Sequence, residues 1–489
     1  MLENGSSDNS PQLRVLSAHQ RDTLVQAALR CLDEIGVVVH NAEARELLGA
    51  AGARVEDDRV RIPAPIVRQA LKTVPREFTI WGRDPRQSIH VGSGHVYFGP
   101  GLTNSYFIDP QTGGKRPTRR GDVASVALIS DALPNIDYVM GLGLISDVTA
   151  TLAPVYEFAE MVANTTKPII AWAYSTDNVA AIFRIAAAVA GGEEALRQRP
   201  NFALFSTYST PLKHTNEDMG NVLWAAGHGI PVVYLGGPTL GMTSPASGAS
   251  ALVLFLAVAL SGLAVVQLKH PGAPTAIGSV PAAMDLYTAR VAYGAPETSL
   301  YGAAAAELAH HLGLPFMGTA GASDGKLLDG QATAESMVQV LMSALSSTDL
   351  VHDIGFLEGA AIGSLPLLVV VDELIGMTRR IMRGVEVSEE SIMLDLIAEV
   401  GPTGAFIAEP RSARLCRQEI WVPTLMDRSD YTNWELNGAK GLEERAVAKL
   451  QHILEHHQPV ALQAETSRTI AAILAEVEKA SAPAAAATR

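Results

Sequence analysis

Aromatic side chains that follow apolar runs are the residues of this chain best suited to hold a small cation. The faces of aromatic rings attract a quaternary ammonium group, which cannot donate hydrogen bonds. Only 6% of the residues are aromatic, so their grouping at the ends of apolar runs is informative. The candidates for substrate binding are Tyr97, Phe98, Trp172, Tyr174, Tyr208 and Phe356. The alternative for each ring is ordinary packing in the core.

A histidine lies in the same kind of position, in 349-DLVHDIG-355. His352 can form a hydrogen bond to a substrate from the end of its apolar run, and its alternative is a buried structural histidine. Corrinoid-binding loops have the pattern Asp-x-His-x-x-Gly, with the histidine on cobalt. Here the acid lies three residues before the histidine, at Asp349, instead of two. The near-match does not predict a tightly bound cobalamin on this chain.

Metal and phosphate chemistry find no support in the motifs. There is no His-x-His and no His-Glu-x-x-His, and the doublets His310-His311 and His456-His457 point to different helix faces. The glycine-rich stretches 236-GGPTLGMTS-244 and 141-GLGLIS-146 lack the spacing of nucleotide-binding loops. We therefore expect no bound catalytic metal and no dinucleotide.

The elements that position these residues repeat one pattern, in which a short apolar run is followed by an amphipathic stretch. Eight such runs occur, at 137–144, 168–174, 202–208, 231–236, 263–270, 314–319, 350–355 and 367–371. Strands that are apolar on both faces are typical of buried parallel sheets with crossover helices. The repeat predicts a (β/α)8 TIM barrel, whose chemistry lies at the C-terminal ends of the strands. The strand-end candidates are Gly143, Tyr174, Tyr208, Gly236, His270, Ala320 to Asp324 and His352.

The composition of the chain restricts the classes of partner and the compartment that can be expected for it. The chain has 489 residues, 48% hydrophobic and 18% charged, and its net charge of −14 argues against a nucleic-acid surface. Two cysteines cannot build a disulfide framework, and the N-terminus does not resemble a secretion signal, so a cytoplasmic protein is expected. The apolar stretch 248–268 divides at Ser261-Gly262, which favours a helix and a strand over a membrane span.

The order of patterns along the chain predicts five segments. Residues 1–15 are expected to be disordered, and residues 16–135 to form a helical and β-hairpin extension that packs on the barrel. The barrel is predicted over 136–400, and a C-terminal helical region over 401–478. Residues 479–489 are expected to be a disordered tail.

Four stretches carry a family resemblance: 230–252, 294–335, 350-LVHDIGFLEGA-360 and 427-DRSDYTNWELNGAKGLEERA-446. They resemble the trimethylamine methyltransferase superfamily, in order, from about Leu16 to about Leu454. The resemblance implies a TIM barrel that passes a methyl group from a methylated amine to Co(I) of a corrinoid on a separate small protein, within one-carbon metabolism related to methanogenesis. Members that act on trimethylamine carry pyrrolysine near the sixth strand, in the region matching 323–335. This chain has only standard residues, which implies a quaternary amine such as glycine betaine.

The resemblance also implies roles for particular residues. His352, Asp324 and Gln331 are expected to act on the substrate, and Tyr97 and Glu358 join the substrate-binding set. In place of the family's His-Thr pair this chain has Arg411-Ser412, a departure expected to bear on substrate and activity. A homo-oligomer is expected. The alternative function is a non-catalytic barrel that binds or senses quaternary amines.

Overall fold

The computed structural model describes residues 10–101, 104–110 and 112–481. The α-helices are α1 Ala18–Arg30, α2 Ala42–Ala50, α3 Ala64–Thr73, α4 Arg120–Ala132, α5 Ala153–Asn164, α6 Thr176–Ala190, α7 Glu193–Gln198, α8 Asn216–Gly227, α9 Gly248–Lys269, α10 Pro296–His311, α11 Gly330–Leu345, α12 Leu365–Met382, α13 Glu389–Ile392, α14 Leu394–Val400, α15 Pro410–Glu419, α16 Tyr431–Leu436, α17 Leu442–His456 and α18 Ala464–Ser481. The strands are β1 Val37–Val39, β2 Arg54–Glu56, β3 Arg59–Arg61, β4 Phe78–Ile80, β5 Ile89–Val91, β6 Tyr97–Pro100, β7 Tyr106–Ile108, β8 Lys115–Pro117, β9 Ile169–Ala171, β10 Phe202–Thr207, β11 Lys213–His214, β12 Val232–Gly236, β13 Thr239–Leu240, β14 Thr275–Ser279, β15 Ala282–Met284, β16 Val291–Ala292, β17 Phe316–Thr319, β18 Leu350–Ile354, β19 Phe356–Leu357 and β20 Ile362–Gly363.

The main sheet has seven parallel strands in the order β6-β18-β17-β14-β12-β10-β9. Its strands are almost wholly buried. Helices cover one face of the sheet, and the sheet curls so that its other face is concave and encloses side chains. Tyr97 on one edge strand and Ile170 on the other belong to a single buried cluster on the concave face. The predicted α/β class with a parallel sheet is confirmed, and the sheet is curled.

The segment 137–142 lies between the two edge strands. On one side Val139 N donates to Pro168 O at 2.9 Å, and Ile170 N donates to Val139 O at 3.0 Å. On the other side Asp137 N donates to Phe98 O, and Leu142 N to Gly101 O, both at 2.7 Å. Both edges of the sheet therefore form hydrogen bonds to the same short segment.

Two of the predicted strands are helical, and the predicted strand 137–144 forms only an isolated bridge at Val139. Residues 263–270 lie in α9 and its C-cap, so His270 ends a helix, and residues 367–371 lie in α12. The sheet instead contains β14, and β6 from the region predicted to be a hairpin cap. A helix buried on all sides is apolar throughout, so its short apolar runs have the same pattern as a buried strand.

The two ends of the strands are covered differently. The hairpin of β4 and β5 packs its apolar residues against Tyr97, at the N-terminal end of the main sheet. The C-terminal rim consists of the loops that follow the strands of the main sheet, together with the loop after the segment 137–142. Its described residues are 101, 104–110, 112–118, 143–152, 172–175, 208–215, 237–247, 280–295, 320–329 and 355–364. Two small sheets, β13-β15-β16 and β19-β20-β7-β8, form part of this rim.

The remaining elements enclose the sheet. Helix α9 is long and apolar enough to cross a membrane, but 78% of its most apolar window is buried, and α1, α2 and α3 pack on it. It is therefore a core helix, as its surroundings require. Leu13 N donates to Leu345 O at 2.9 Å, which corrects the expectation of disorder for residues 10–15. Residues 1–9 and 482–489 lie outside the described chain, and 479–481 end α18.

Candidate functional site

A histidine and an aspartate meet at the C-terminal end of β18. The pairing of β18 with β6 shifts register between Val351 and Ile354, and Asp353 has a φ of 78°. Such a bulge re-aims side chains, so that adjacent residues lie on the same side. His352 Nδ1 lies 2.6 Å from Asp353 Oδ1, and Thr319 Oγ1 donates to Asp353 Oδ2 at 2.7 Å.

Gly101 makes room for this arrangement. A Cβ atom at Gly101 would lie 2.6 Å from Asp353 Oδ1 and 2.4 Å from the ring of Phe356, closer than carbon atoms approach. The glycine of the YFGPG stretch therefore allows β6 to pass beside the aspartate.

The second ring nitrogen of His352, Nε2, faces a different environment from Nδ1. The ring lies on the concave face, two residues beyond Leu350, with its centroid 5.8 Å from that of Phe205. Nε2 is buried and has no hydrogen-bond partner among the described residues. Because Asp353 accepts from Nδ1–H, the orientation of the ring is held and Nε2 faces the concave side. This nitrogen can form a hydrogen bond with a small molecule bound there.

Trp172 and Tyr174 follow β9 on the neighbouring part of the rim. Their rings meet edge to face, 4.5 Å apart, and Tyr174 is 48% exposed. Trp172 packs against the concave-face cluster and donates from Nε1 to Glu157 Oε2 at 2.7 Å. Ile145 N donates to Glu157 Oε1 at 3.1 Å. Burial raises the pKa of Glu157 to about 8, although these two donors lower it.

Tyr293 brings another ring to the site from the loop after β16. Its side chain packs against both the concave-face cluster and the cluster around Phe356. Burial, and then the charges of Asp353 and Asp324, raise the pKa of the Tyr293 hydroxyl. Asp324 accepts from the backbone N–H groups of Tyr293, at 3.0 Å, and Gly294, at 2.9 Å. Asp324 thus positions the loop that carries Tyr293, and its direct role on the substrate stays a prediction.

Four of the predicted rings lie elsewhere. Phe98 and Phe356 are buried in the layer between the sheet and the helices. Tyr208 is 3% exposed, and its hydroxyl lies within hydrogen-bonding distance of the Gly236 and Gly278 carbonyls. Tyr97 is on the concave face but at the N-terminal end, where its hydroxyl accepts from His90 N. Alternation along a strand decides which face a ring occupies, and being near a strand end does not.

Three further predicted residues have structural partners. Glu358 accepts from Lys115 Nζ at 2.7 Å and from Arg290 at 3.4 Å, so it joins two hairpins of the rim. Gln331 is exposed on the first turn of α11 and donates to Glu335. Arg411 is paired with Asp395 at 2.6 Å on α15.

Asp349, the acid of the corrinoid-like near-match, lies at the opposite end of β18 from His352. It accepts from Phe316 N at 2.8 Å and from Gly92 N at 3.1 Å, and pairs with His310 at 2.9 Å. Among residues 10–101, 104–110 and 112–481, no group of three or more His, Cys, Asp and Glu side chains could hold a metal ion.

Sequence reasoning missed five residues of the site. They are Asp353, Thr319, Phe205, Tyr293 and Glu157. Phe205 had a usable signal, because it alternates with Ala203 on the concave face of β10. Glu157 is an acid within the apolar helix α5, a pattern that marks a buried carboxyl needing partners. Asp353 depends on the bulge, which has no sequence signal here.

The model of the family described as trimethylamine methyltransferase (MTTB) matches residues 4–482. The chain belongs to the trimethylamine methyltransferase family. It is 31% identical over 457 residues to the trimethylamine methyltransferase MttB of Desulfitobacterium hafniense strain DSM 10664 / DCB-2, covering 92% of this chain and 91% of the relative. It is 29% identical over 468 residues to the glycine betaine methyltransferase of strain Y51, covering 95% and 97%. The predicted family and the predicted methyltransferase class are confirmed.

This chain is similar in fold to a solved structure of the Methanosarcina barkeri monomethylamine methyltransferase MtmB. The TM-score is 0.52 at 14% identity, covering 88% of this chain and 87% of that one. At this identity the likeness concerns the fold alone.

Proposed function

We propose that this methyltransferase moves a methyl group from a quaternary amine, glycine betaine or a related betaine, to Co(I) of a corrinoid held by a separate cytoplasmic protein. The observation that carries the proposal is Nε2 of His352, which has no hydrogen-bond partner within the described part of the chain and belongs to a ring held by Asp353 beside Phe205. The glycine betaine methyltransferase among the relatives supports the substrate class.

We further propose that the segment 137–142 closes the main sheet into a (β/α)8 barrel. Its hydrogen bonds to both edge strands support closure, since a barrel leaves neither edge unpaired. The fold of the monomethylamine methyltransferase supports the same reading. In a closed barrel the substrate enters only from the C-terminal rim, where His352 and Trp172 lie.

The rings provide the cation site. Phe205 lies beside His352, and Trp172 and Tyr293 pack against the same concave-face cluster as Phe205. Ring faces attract the trimethylammonium group without fixing a hydrogen bond. The positive charge leaves nitrogen as the methyl group departs, so this attraction must be moderate in order not to favour the substrate over the transition state. Glu157 holds Trp172 by its Nε1–H, which sets the orientation of that ring.

His352 binds the opposite end of the substrate. In the doubly protonated ring both nitrogens donate, Nδ1 to Asp353 and Nε2 to the carboxylate of the betaine. Two attachments, one at each end of the molecule, fix the direction of the carbon–nitrogen bond that breaks. Loss of one methyl group as a cation equivalent leaves a neutral tertiary amine, so the leaving group needs no proton. Fixing orientation is then the main contribution of this chain.

The acceptor must approach from the rim. Co(I) of the corrinoid supplies the nucleophile that takes the methyl group. At the tip of the hairpin between β15 and β16, Leu286 is 85% and Tyr287 is 98% exposed. Asp285 Oδ1 accepts from Tyr287 N and Thr288 N, so the tip is ordered while its apolar side chains stay in solvent. Pre-ordered exposed apolar residues are typical of protein contacts, and this tip suits the partner protein.

The test mixes the purified protein with Co(I) cobalamin and a panel of betaines and trimethylamine, and follows the loss of the Co(I) absorbance. We expect loss with at least one betaine. Loss with trimethylamine alone would make the substrate proposal wrong. Binding of betaines without any loss of Co(I) would favour the non-catalytic binder.

A matched pair of variants tests the site. His352→Gln removes a charge-assisted hydrogen bond of about 1.5–3 kcal/mol, so kcat/KM should fall roughly 10- to 150-fold. His310→Gln is the control, because His310 pairs with an aspartate at the other end of the same strand. Equal effects of the two changes would remove His352 from the site.

A further inference from the structure

Residues 385–422 form an arm, which leaves the body after α12 and returns beside the same helix. The arm contains α13, α14, a short 3-10 turn and α15. At its return Arg380 Nε donates to Glu419 O at 2.7 Å, and Arg383 donates to Gln418 O at 2.6 Å. Both ends of the arm are therefore attached near the last turn of α12.

The arm has almost no core within its own chain. Throughout 385–422, a stretch described in full, only Leu396 is buried. The large apolar side chains exposed on it are Val385, Val387, Ile392, Leu394, Ile397, Phe406, Ile407, Ile420 and Val422. Soluble monomers rarely gather so much exposed apolar surface in one segment, and helices this short are unstable without packing. The folded arm therefore needs a cover that is always present.

We propose that the arm is the contact surface between two copies of this chain. Its nine exposed apolar side chains present on the order of 1,000 Å², compared with roughly 800 Å² per partner in a standard interface. A second copy is present whenever the chain itself is present. A second copy can therefore cover the short helices of the arm at all times, whereas a transient partner cannot.

The charges of the arm are also self-complementary. Its first half carries acidic side chains and its last helix carries basic ones. Charged residues of the arm with no ion pair in the described chain are Glu386, Glu389, Glu390, Glu409, Arg414 and Arg417. In a twofold interface the same patch meets itself, so the acidic half of one arm can face the basic helix of the other. The proposal does not depend on the methyl-transfer reaction.

The test is sedimentation velocity on the full chain at micromolar concentration. Wild type should sediment as an oligomer. The double variant Leu394→Glu, Ile407→Glu buries charge in the interface and should associate at least about 100-fold more weakly, sedimenting as a monomer. The matched control Leu286→Glu, Tyr287→Glu places the same two charges on apolar side chains outside the arm that are at least as exposed, and should sediment like wild type.

Three results would overturn the proposal: a monomeric wild type, a double variant that associates like wild type, and a control variant that alone separates the copies. Hydrogen exchange on wild type covers the case in which the double variant does not fold. Amides of 385–422 should exchange faster after dilution into the monomer range. Exchange that is independent of concentration would also overturn the proposal.

Discussion

Glu157 leads to a prediction that can be checked without any substrate. Burial raises its pKa to about 8 from an ordinary value of 4.5. Between these two values the folded protein holds the proton while the unfolded chain has lost it, so stability falls as the pH rises. The interval of about 3.5 pH units, at about 1.4 kcal/mol each, sets an upper limit of about 5 kcal/mol.

The perturbation is Glu157→Gln, which removes the titrating group and keeps the shape of the side chain. Urea unfolding followed by circular dichroism is measured for both proteins at several pH values from about 5 to 8, at one protein concentration. Subtracting the two curves cancels every other titrating group. Wild type should lose up to about 4 kcal/mol relative to the variant across these three pH units.

Trp172→Phe provides a linked control. It removes one of the two N–H donors that lower the pKa of Glu157, so the loss of stability should continue to higher pH. Parallel pH curves for wild type and Glu157→Gln would refute the reasoning. They would mean that Glu157 ionises in the folded protein as it does in the unfolded chain.

The remaining predictions concern activity. Asp353→Asn should lower kcat/KM about 10- to 150-fold, because it loses the charge that orients His352, while Thr319→Val should cost only about fivefold; steady-state kinetics with a betaine would contradict this if the order were reversed. Trp172→Leu should weaken betaine binding about two- to fivefold by calorimetry, and unchanged affinity would place the cation elsewhere. Tyr287→Ser should slow transfer to a corrinoid protein encoded in the same genome and leave transfer to free cobalamin unchanged; slowing of both would assign the tip a role other than docking.

Much of the fold followed from periodicity. Buried parallel strands are apolar on both faces, and most of the predicted runs, such as 202–208 and 350–355, are strands of the main sheet. The runs 263–270 and 367–371 were wrongly predicted as strands, because helices buried on all sides are as apolar as buried strands. The strand Tyr97–Pro100 was missed because it is short, ends in proline and lies between hairpins.

The family could also be predicted from sequence alone, since its motifs recur in order over most of the chain and the family model matches residues 4–482. His352 belongs to one of those motifs. Rings chosen by closeness to a strand end were less reliable, because Phe98 and Tyr208 face the helices.

The amino-acid sequence by itself determined the α/β class, the family and the position of His352 along the chain, because composition, period and ordered motifs are local properties. Only the tertiary structure decided what His352 does with its two nitrogens. The bulge in β18 turns Asp353 toward it, and Gly101 of a distant strand leaves the space. Trp172 and Glu157 likewise meet across two elements. Such contacts depend on register and backbone direction, which are set by the packing of the whole chain.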